Sequence, residues 1–191
     1  MTFNKILLTL DGSELARWAL PFVRDLARGS DTEVCVLEVI DPLESVVFQL
    51  GAEGIDPHSA EGGQIEERAL TLQAVQRDAA KQDLEEAKRE LEHGGVSLVT
   101  TLIAEGRPAE AIVEAAGRLG CDAIAMGARG HSGLRREAIG SVAEALVLNA
   151  TTSAVIVVGP RASGPHGPTV FGAHTISPAP ELRPQATDET P

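Results

Sequence analysis

The 191-residue chain has few aromatic residues: no Tyr, one Trp and four Phe, 3% in all. A core made almost without rings must be aliphatic, drawn from Val, Ile, Leu and Ala. Scarce rings also weigh against single-strand nucleic-acid binding, which stacks bases on aromatic platforms. Basic charge is short as well. Sixteen Lys and Arg stand against 28 Asp and Glu, a net charge of −12. Phosphate backbones and anionic lipids are held mainly by Lys and Arg. Neither nucleic acid nor a membrane surface is therefore an expected partner. The two cysteines, Cys35 and Cys121, form no CxxC pair and cannot build a disulfide framework. Their apolar neighbours mark them as buried thiols. No apolar run reaches the length of a membrane span, and the opening Met1-Thr2-Phe3-Asn4-Lys5 is not a signal peptide. The expectation is a cytoplasmic protein without membrane insertion.

Catalytic signatures are missing too. His58, His93, His131, His166 and His174 are scattered, without the HExxH spacing of a zinc site. No GxSxG elbow and no GxxxxGK[ST] phosphate loop occurs. The acidic pairs Glu66-Glu67 and Glu85-Glu86 fall in a helical segment, where adjacent side chains point apart. No catalytic residue and no metal ligand is assigned.

With 43% hydrophobic residues, the chain can still bury a core. Its first 160 residues alternate strand and helix signals. Ile6–Leu10 reads as a strand buried on both faces. Asp11-Gly12-Ser13-Glu14 then opens a helix, with Asp11 or Ser13 as cap and Glu14 at capping-box spacing. Leu15, Trp18, Ala19, Phe22, Val23 and Leu26 mark the buried face of that helix, and Pro21 should kink it. Glu33–Ile40 is a second strand. Residues 43–64 read as irregular. A long helix runs from Ile65 to about His93 and stops at Gly94-Gly95. Ala69, Leu72, Ala79, Leu84, Ala87 and Leu91 form its expected buried face. Val96–Ile103 is a third strand, and a helix with Pro108 in its first turn ends at Gly120. Asp122–Met126, a helix from Gly140 to about Asn149, and Ala154–Val158 complete a β-α-β-α-β-α-β-α-β order. Strands separated by helices predict an α/β fold with an open, doubly wound, five-stranded parallel sheet. Residues 161–191 hold six of the eleven prolines and no apolar period, and read as a disordered tail.

The informative segment is Gly127-Ala128-Arg129-Gly130, followed nine residues later by Gly140-Ser141-Val142. It starts at the end of the fourth strand and finishes at the start of the fourth helix. Open parallel sheets bind ligands beyond the carboxyl ends of their strands. Glycines there let backbone N–H groups approach an anion, and a helix N-terminus attracts phosphate. Arg129, His131, Arg135 and Arg136 concentrate positive charge in an otherwise acidic chain. Turn glycines and a solvated arginine loop would look similar on spacing alone.

The G-x2-G-x9-G-S spacing resembles the universal stress protein family. The residues around it add to the likeness: Ala125-Met126 before the motif and VAEALVLNATTSAVIVVGP after it. The start, KILLTLDGSELARWALPFVRDLA, is similar to that family's first strand, acidic loop and first helix. The resemblance covers about residues 1–160. It implies a Rossmann-like fold of the adenine nucleotide alpha hydrolase type, with strand order 3-2-1-4-5, and an ATP site. Asp11 matches the acid on the ribose and adenine side. Val39 matches the residue whose backbone meets adenine, and Thr9 falls near that pocket. Gly127 and Gly130, with Arg129 between them, match the ribose and phosphate loop. Gly140, Ser141 and Val142 match the phosphate-binding helix start. A magnesium or manganese ion bridging the phosphates would need few protein ligands. ATP would order the 127–142 loop and change the surface offered to a protein partner. The resemblance further implies a homodimer paired through strand 154–158, and an apolar edge strand invites such pairing. With no base placed to activate a nucleophile, at most slow ATP hydrolysis is expected; a slow ATPase or phosphotransferase and a nucleotide-independent dimeric interaction module are the alternatives. The resemblance gives no role to residues 43–64 or to the tail.

Overall fold

The computed structural model describes residues 3–52, 62–128, 140–150, 153–159 and 170–171. Strands β1 (Lys5–Leu10), β2 (Glu33–Ile40), β3 (Leu98–Glu105), β4 (Ala123–Gly127) and β5 (Ala154–Val158) form a parallel sheet in the order β3-β2-β1-β4-β5. This is the order that the resemblance implies. A two-residue strand, β6 (Val170–Phe171), adds antiparallel to β5.

Side chains alternate across the sheet, as pleating requires. Ile6, Leu8, Val34 and Val36 turn to one face. They pack there on α1 (Ala19–Ala27) and on Leu84, Ala87 and Leu91 of α3 (Gly62–His93). Leu7, Cys35, Leu37, Ile124 and Val155 turn to the other face. They meet Ile112, Ala115 and Ala116 of α4 (Pro108–Leu119) and Ala143 and Leu146 of α5 (Ser141–Asn149). Both cysteines are free and buried, and burial pushes both thiols up, Cys121 to about 11.

The glycine stop of α3 works as expected. Val96 N donates to Leu91 O and Gly95 N to Glu92 O, with Gly95 at φ +92. That is the pair of bonds that closes a helix through a left-handed residue.

Five expectations are corrected. Residues 43–64 are not irregular throughout, because Leu43–Ala52 forms helix α2. Leu43, Val46, Val47 and Leu50 recur at i, i+3, i+4 and i+7 and pack with Ile65 and Ala69 of α3. Residues 53–61 lie outside the described ones. Pro21 does not kink a helix. The chain first makes a 3-10 turn over Ala16–Trp18, and α1 starts at Ala19. Pro21 then sits in the first turn, where its N–H would have no intrahelical partner. Two buried faces also shift. Trp18 and Leu26 are 38% and 37% exposed, while Ala16, Leu20 and Ala27 are buried. On α3, Leu72 and Ala79 face water and Ala80 is buried. Finally, the third strand runs Leu98–Glu105, two residues later than the sequence suggests.

Part of the expected tail is ordered as β6, which lies along Val157 and Val158 of β5. The rest of the tail lies outside the described residues. No helix among the described residues is long and apolar enough to cross a membrane.

Candidate functional site

A cavity of about 240 Å³ opens at the carboxyl ends of β1, β2 and β4. β1 lies between β2 and β4, so the chain winds off in opposite directions from it. The crevice at such a reversal is where open α/β sheets bind ligands. β1 contributes Thr9 and Leu10, with Asp11 just beyond it, and β2 contributes Val39. β4 contributes Met126 and Gly127, and Gly140, Ser141, Val142 and Ala143 come from the start of α5.

Of the residues expected at the site, Thr9, Asp11, Val39, Gly127, Gly140, Ser141 and Val142 all line this cavity. Arg129 and Gly130 lie outside the described residues, as do His131, Arg135 and Arg136. Among the described residues, no Lys or Arg lines the cavity.

Each part has a local cause. Asp11 is held by its own turn. Its Oδ1 accepts from Ser13 N at 3.1 Å and from Ser13 Oγ at 2.6 Å. Ser13 Oγ in turn accepts from Ala16 N at 3.1 Å and so starts the 3-10 turn. Gly12 takes the left-handed φ of +74 that this reversal requires. At α5 the N-cap is Gly140, which has no side chain to cap the helix. The N–H groups of Ser141, Val142 and Ala143 have no acceptor within the helix. Gly140 is itself pinned, its N donating to Ala128 O at 2.9 Å. Ala128 N donates to Val158 O at 2.7 Å, which ties the end of β4 to β5.

Sequence reading missed the far wall. Pro108 and Ile112 of α4 face the cavity. Pro108 reads only as a helix starter. Its place follows from the β3–α4 crossover, which brings the first turn of α4 over the carboxyl end of the sheet. Val39, Met126, Pro108 and Ile112 give the cavity an apolar lining, and the uncapped α5 start adds a set of amide donors. Such a site can hold a ligand that combines a flat apolar group with an anion.

One titratable group beside the site departs from its ordinary behaviour. Glu38 of β2 is pushed up to about 7, by burial first and then by Asp83 and Asp11. Among the described residues, no group of three or more His, Cys, Asp or Glu is placed to hold a metal ion.

A family model described as the universal stress protein family matches residues 2–158. The universal stress protein MJ0577 of Methanocaldococcus jannaschii is 32% identical over 160 residues, covering 81% of this chain and 94% of that protein. The solved structure of MJ0577 superposes with a TM-score of 0.68 at 31% identity, over 85% of this chain and all of that one. Two more distant structures share the fold. A universal stress protein in complex with cAMP gives a TM-score of 0.54 at 18% identity, over 83% of this chain and 98% of that one. One from Archaeoglobus fulgidus in complex with dAMP gives 0.51 at 21%, over 82% and 98%.

Proposed function

The chain belongs to the universal stress protein family, and from that premise we propose that it is an adenine-nucleotide-binding regulatory module that takes ATP at the β1/β4 crevice. The observation that carries this reading is a cavity lined both by apolar side chains and by the uncapped start of α5. Adenine lies against Val39, Met126, Pro108 and Ile112, the ribose meets Asp11, and the phosphates rest on the uncapped start of α5 at Gly140–Val142. Structures of the same fold are in complex with cAMP and dAMP, which supports an adenylate ligand. A magnesium or manganese ion would be held chiefly by the nucleotide phosphates and water, with few protein ligands. The Asp11 carboxylate already accepts two hydrogen bonds from Ser13, which suits positioning a ligand better than moving a proton. The module works as a cytoplasmic homodimer paired through strand 154–158, and nucleotide alters the surface offered to a protein partner.

The test is nucleotide identification. The purified chain is denatured and the supernatant separated and weighed by mass spectrometry. The stripped chain is then titrated with ATP and Mg²⁺ by calorimetry. Co-purified adenylate, or micromolar binding that a Gly140→Ala/Ser141→Ala double variant weakens at least tenfold, supports the site. No binding of any adenylate removes it.

A further inference from the structure

Glu38 stands one residue before Val39 on β2, so strand alternation turns it to the opposite face of the sheet from the cavity. On that face its Oε1 lies 3.9 Å from where a Cβ on Gly12 would sit, under the turn that carries Asp11. Its Oε2 is shut off from solvent and has no hydrogen-bond partner. The same holds for Oδ2 of Asp83, on the α3 face packed against β2. Asp11, Glu38 and Asp83 thus bring three carboxyl groups together from the β1 turn, β2 and α3. Arg17 of the 3-10 turn reaches this group from the side. It is spent on Asp83 at 2.5 Å and leans toward Glu86 and Glu90 at 3.6 and 3.4 Å.

A half-buried carboxyl with an orphaned inner oxygen and two acidic neighbours holds its proton more firmly than a free one. We propose that Glu38 is a positioning residue that makes ligand binding at the neighbouring cavity proton-linked, its uncharged form supporting the Asp11-Gly12-Ser13 turn and its ionised form weakening it. The inference rests on the reading of that cavity as an adenine-nucleotide site. On ionisation, the buried Oε2 has no donor to receive its charge. That charge adds to the charge of Asp11 and opposes an arriving phosphate chain. An anionic ligand therefore binds better to the protonated form, and binding between pH 7 and 8 takes up protons. By linkage, affinity falls as pH rises through the Glu38 midpoint.

The experiment compares the full chain with Glu38→Gln, which keeps the shape and removes the proton. ATP with Mg²⁺ is titrated by calorimetry at pH 6, 7 and 8. The nucleotide's own titration is common to both chains and cancels in their ratio. The expected result is a loss of about three- to tenfold between pH 6 and 8 in the parent chain beyond that in Glu38→Gln, because one linked proton changes affinity by at most about tenfold for each pH unit above the midpoint. Equal pH dependence in the two chains overturns the proposal and leaves the nucleotide site standing.

A second readout needs no ligand. The Ser13 amide donates to Asp11, so its nitrogen-15 NMR shift reports the turn. It should titrate near pH 7 in the parent chain and stay flat in Glu38→Gln. Asp83→Asn should move that midpoint down by removing one acidic neighbour. A Ser13 amide insensitive to pH in the parent chain overturns the coupling. A chain that binds no adenylate yet shows the Ser13 titration loses the proposed ligand and keeps the coupling.

Discussion

Glu38 also decides how the folded chain responds to pH. Its carboxyl titrates at an ordinary 4.5 when unfolded and at about 7 in the fold. Between those values the folded chain holds a proton that the unfolded chain has released. The contribution to stability is therefore fully present below about 4.5 and is lost as pH rises to about 7, after which it changes no further. Glu38→Gln has no such proton to lose. It should unfold at higher urea than the parent at pH 8, by on the order of 1 kcal/mol for a partly wetted group, and match it at pH 4. A constant offset between the two chains at both pH values would rule out ionisation as the cause. At the phosphate end, Ser141→Asp places a carboxylate where the reading puts phosphate. It should cost at least tenfold in ATP affinity without moving the melting temperature, because Ser141 is exposed at a helix start that favours acids. Gly140–Val142 stood out because a helix start beyond a strand end favours anions, whereas Thr9, Asp11 and Val39 were singled out by the family resemblance. Pro108 and Ile112 were not. Their residue types speak only of helix and core, and their place at the cavity comes from the crossover geometry.

Among the elements, α3 shows how far periodicity carries and where it slips. Its end was plain from Gly94-Gly95, because a left-handed pair of closing bonds needs glycine at 95. Its buried stripe was legible at Ala69 and from Leu84 through Ala87 to Leu91, but not at 72 and 79 between them. Over a helix of 32 residues a small error in period turns the expected face by a whole position. Hence Ala80 is buried and Ala79 is not. Toward the N-terminal half, Gln73 and Arg77 hold the end of β3 through Glu105, so polar contacts replace the apolar stripe. The shifted register can be measured. Leu84 is 2% exposed and Leu72 is 41% exposed. Leu84→Ala should cost about 2–5 kcal/mol in urea unfolding, as buried leucines do. Leu72→Ala should stay within about 0.5 kcal/mol, as exposed positions do. Comparable losses at both sites would put Leu72 back on the buried face. Helix α2 was hidden by the glycines around it, although Leu43, Val46, Val47 and Leu50 already had helical spacing. Those four residues gain a partner only once Ile65 and Ala69 return over them, and no local window contains both halves.

At the scale of the whole molecule, the sheet order was legible because right-handed crossovers leave few alternatives, and the family resemblance chose among them. β6 was not. Val170 and Phe171 are two residues in a proline-rich stretch without a period, and only the outer edge of β5 gives them a place. That edge is where the proposed dimer would pair. β5 is apolar throughout, and β6 pairs only with Val157 and Val158. Ala154, Val155 and Ile156 have no outer strand among the described residues. α5 packs on β5 and leaves Leu148 76% exposed. An apolar edge with unpaired backbone groups favours a second copy, and an exposed leucine beside it adds to the patch. Light scattering on the full chain should then give twice the 20.0 kDa subunit mass. Leu148→Glu, which disturbs no core contact, should shift the population toward one subunit. β6 competes for the Val157–Val158 end of the same edge. Placing proline at both 170 and 171 removes its backbone donors, and should tighten the dimer if the second copy needs that end. A single-subunit mass for the parent chain that doubles only in the proline variant would mean that β6 closes the edge and that the chain assembles only when β6 leaves. A single-subunit mass for both would show that the edge does not pair, and would place the partner surface elsewhere on the fold.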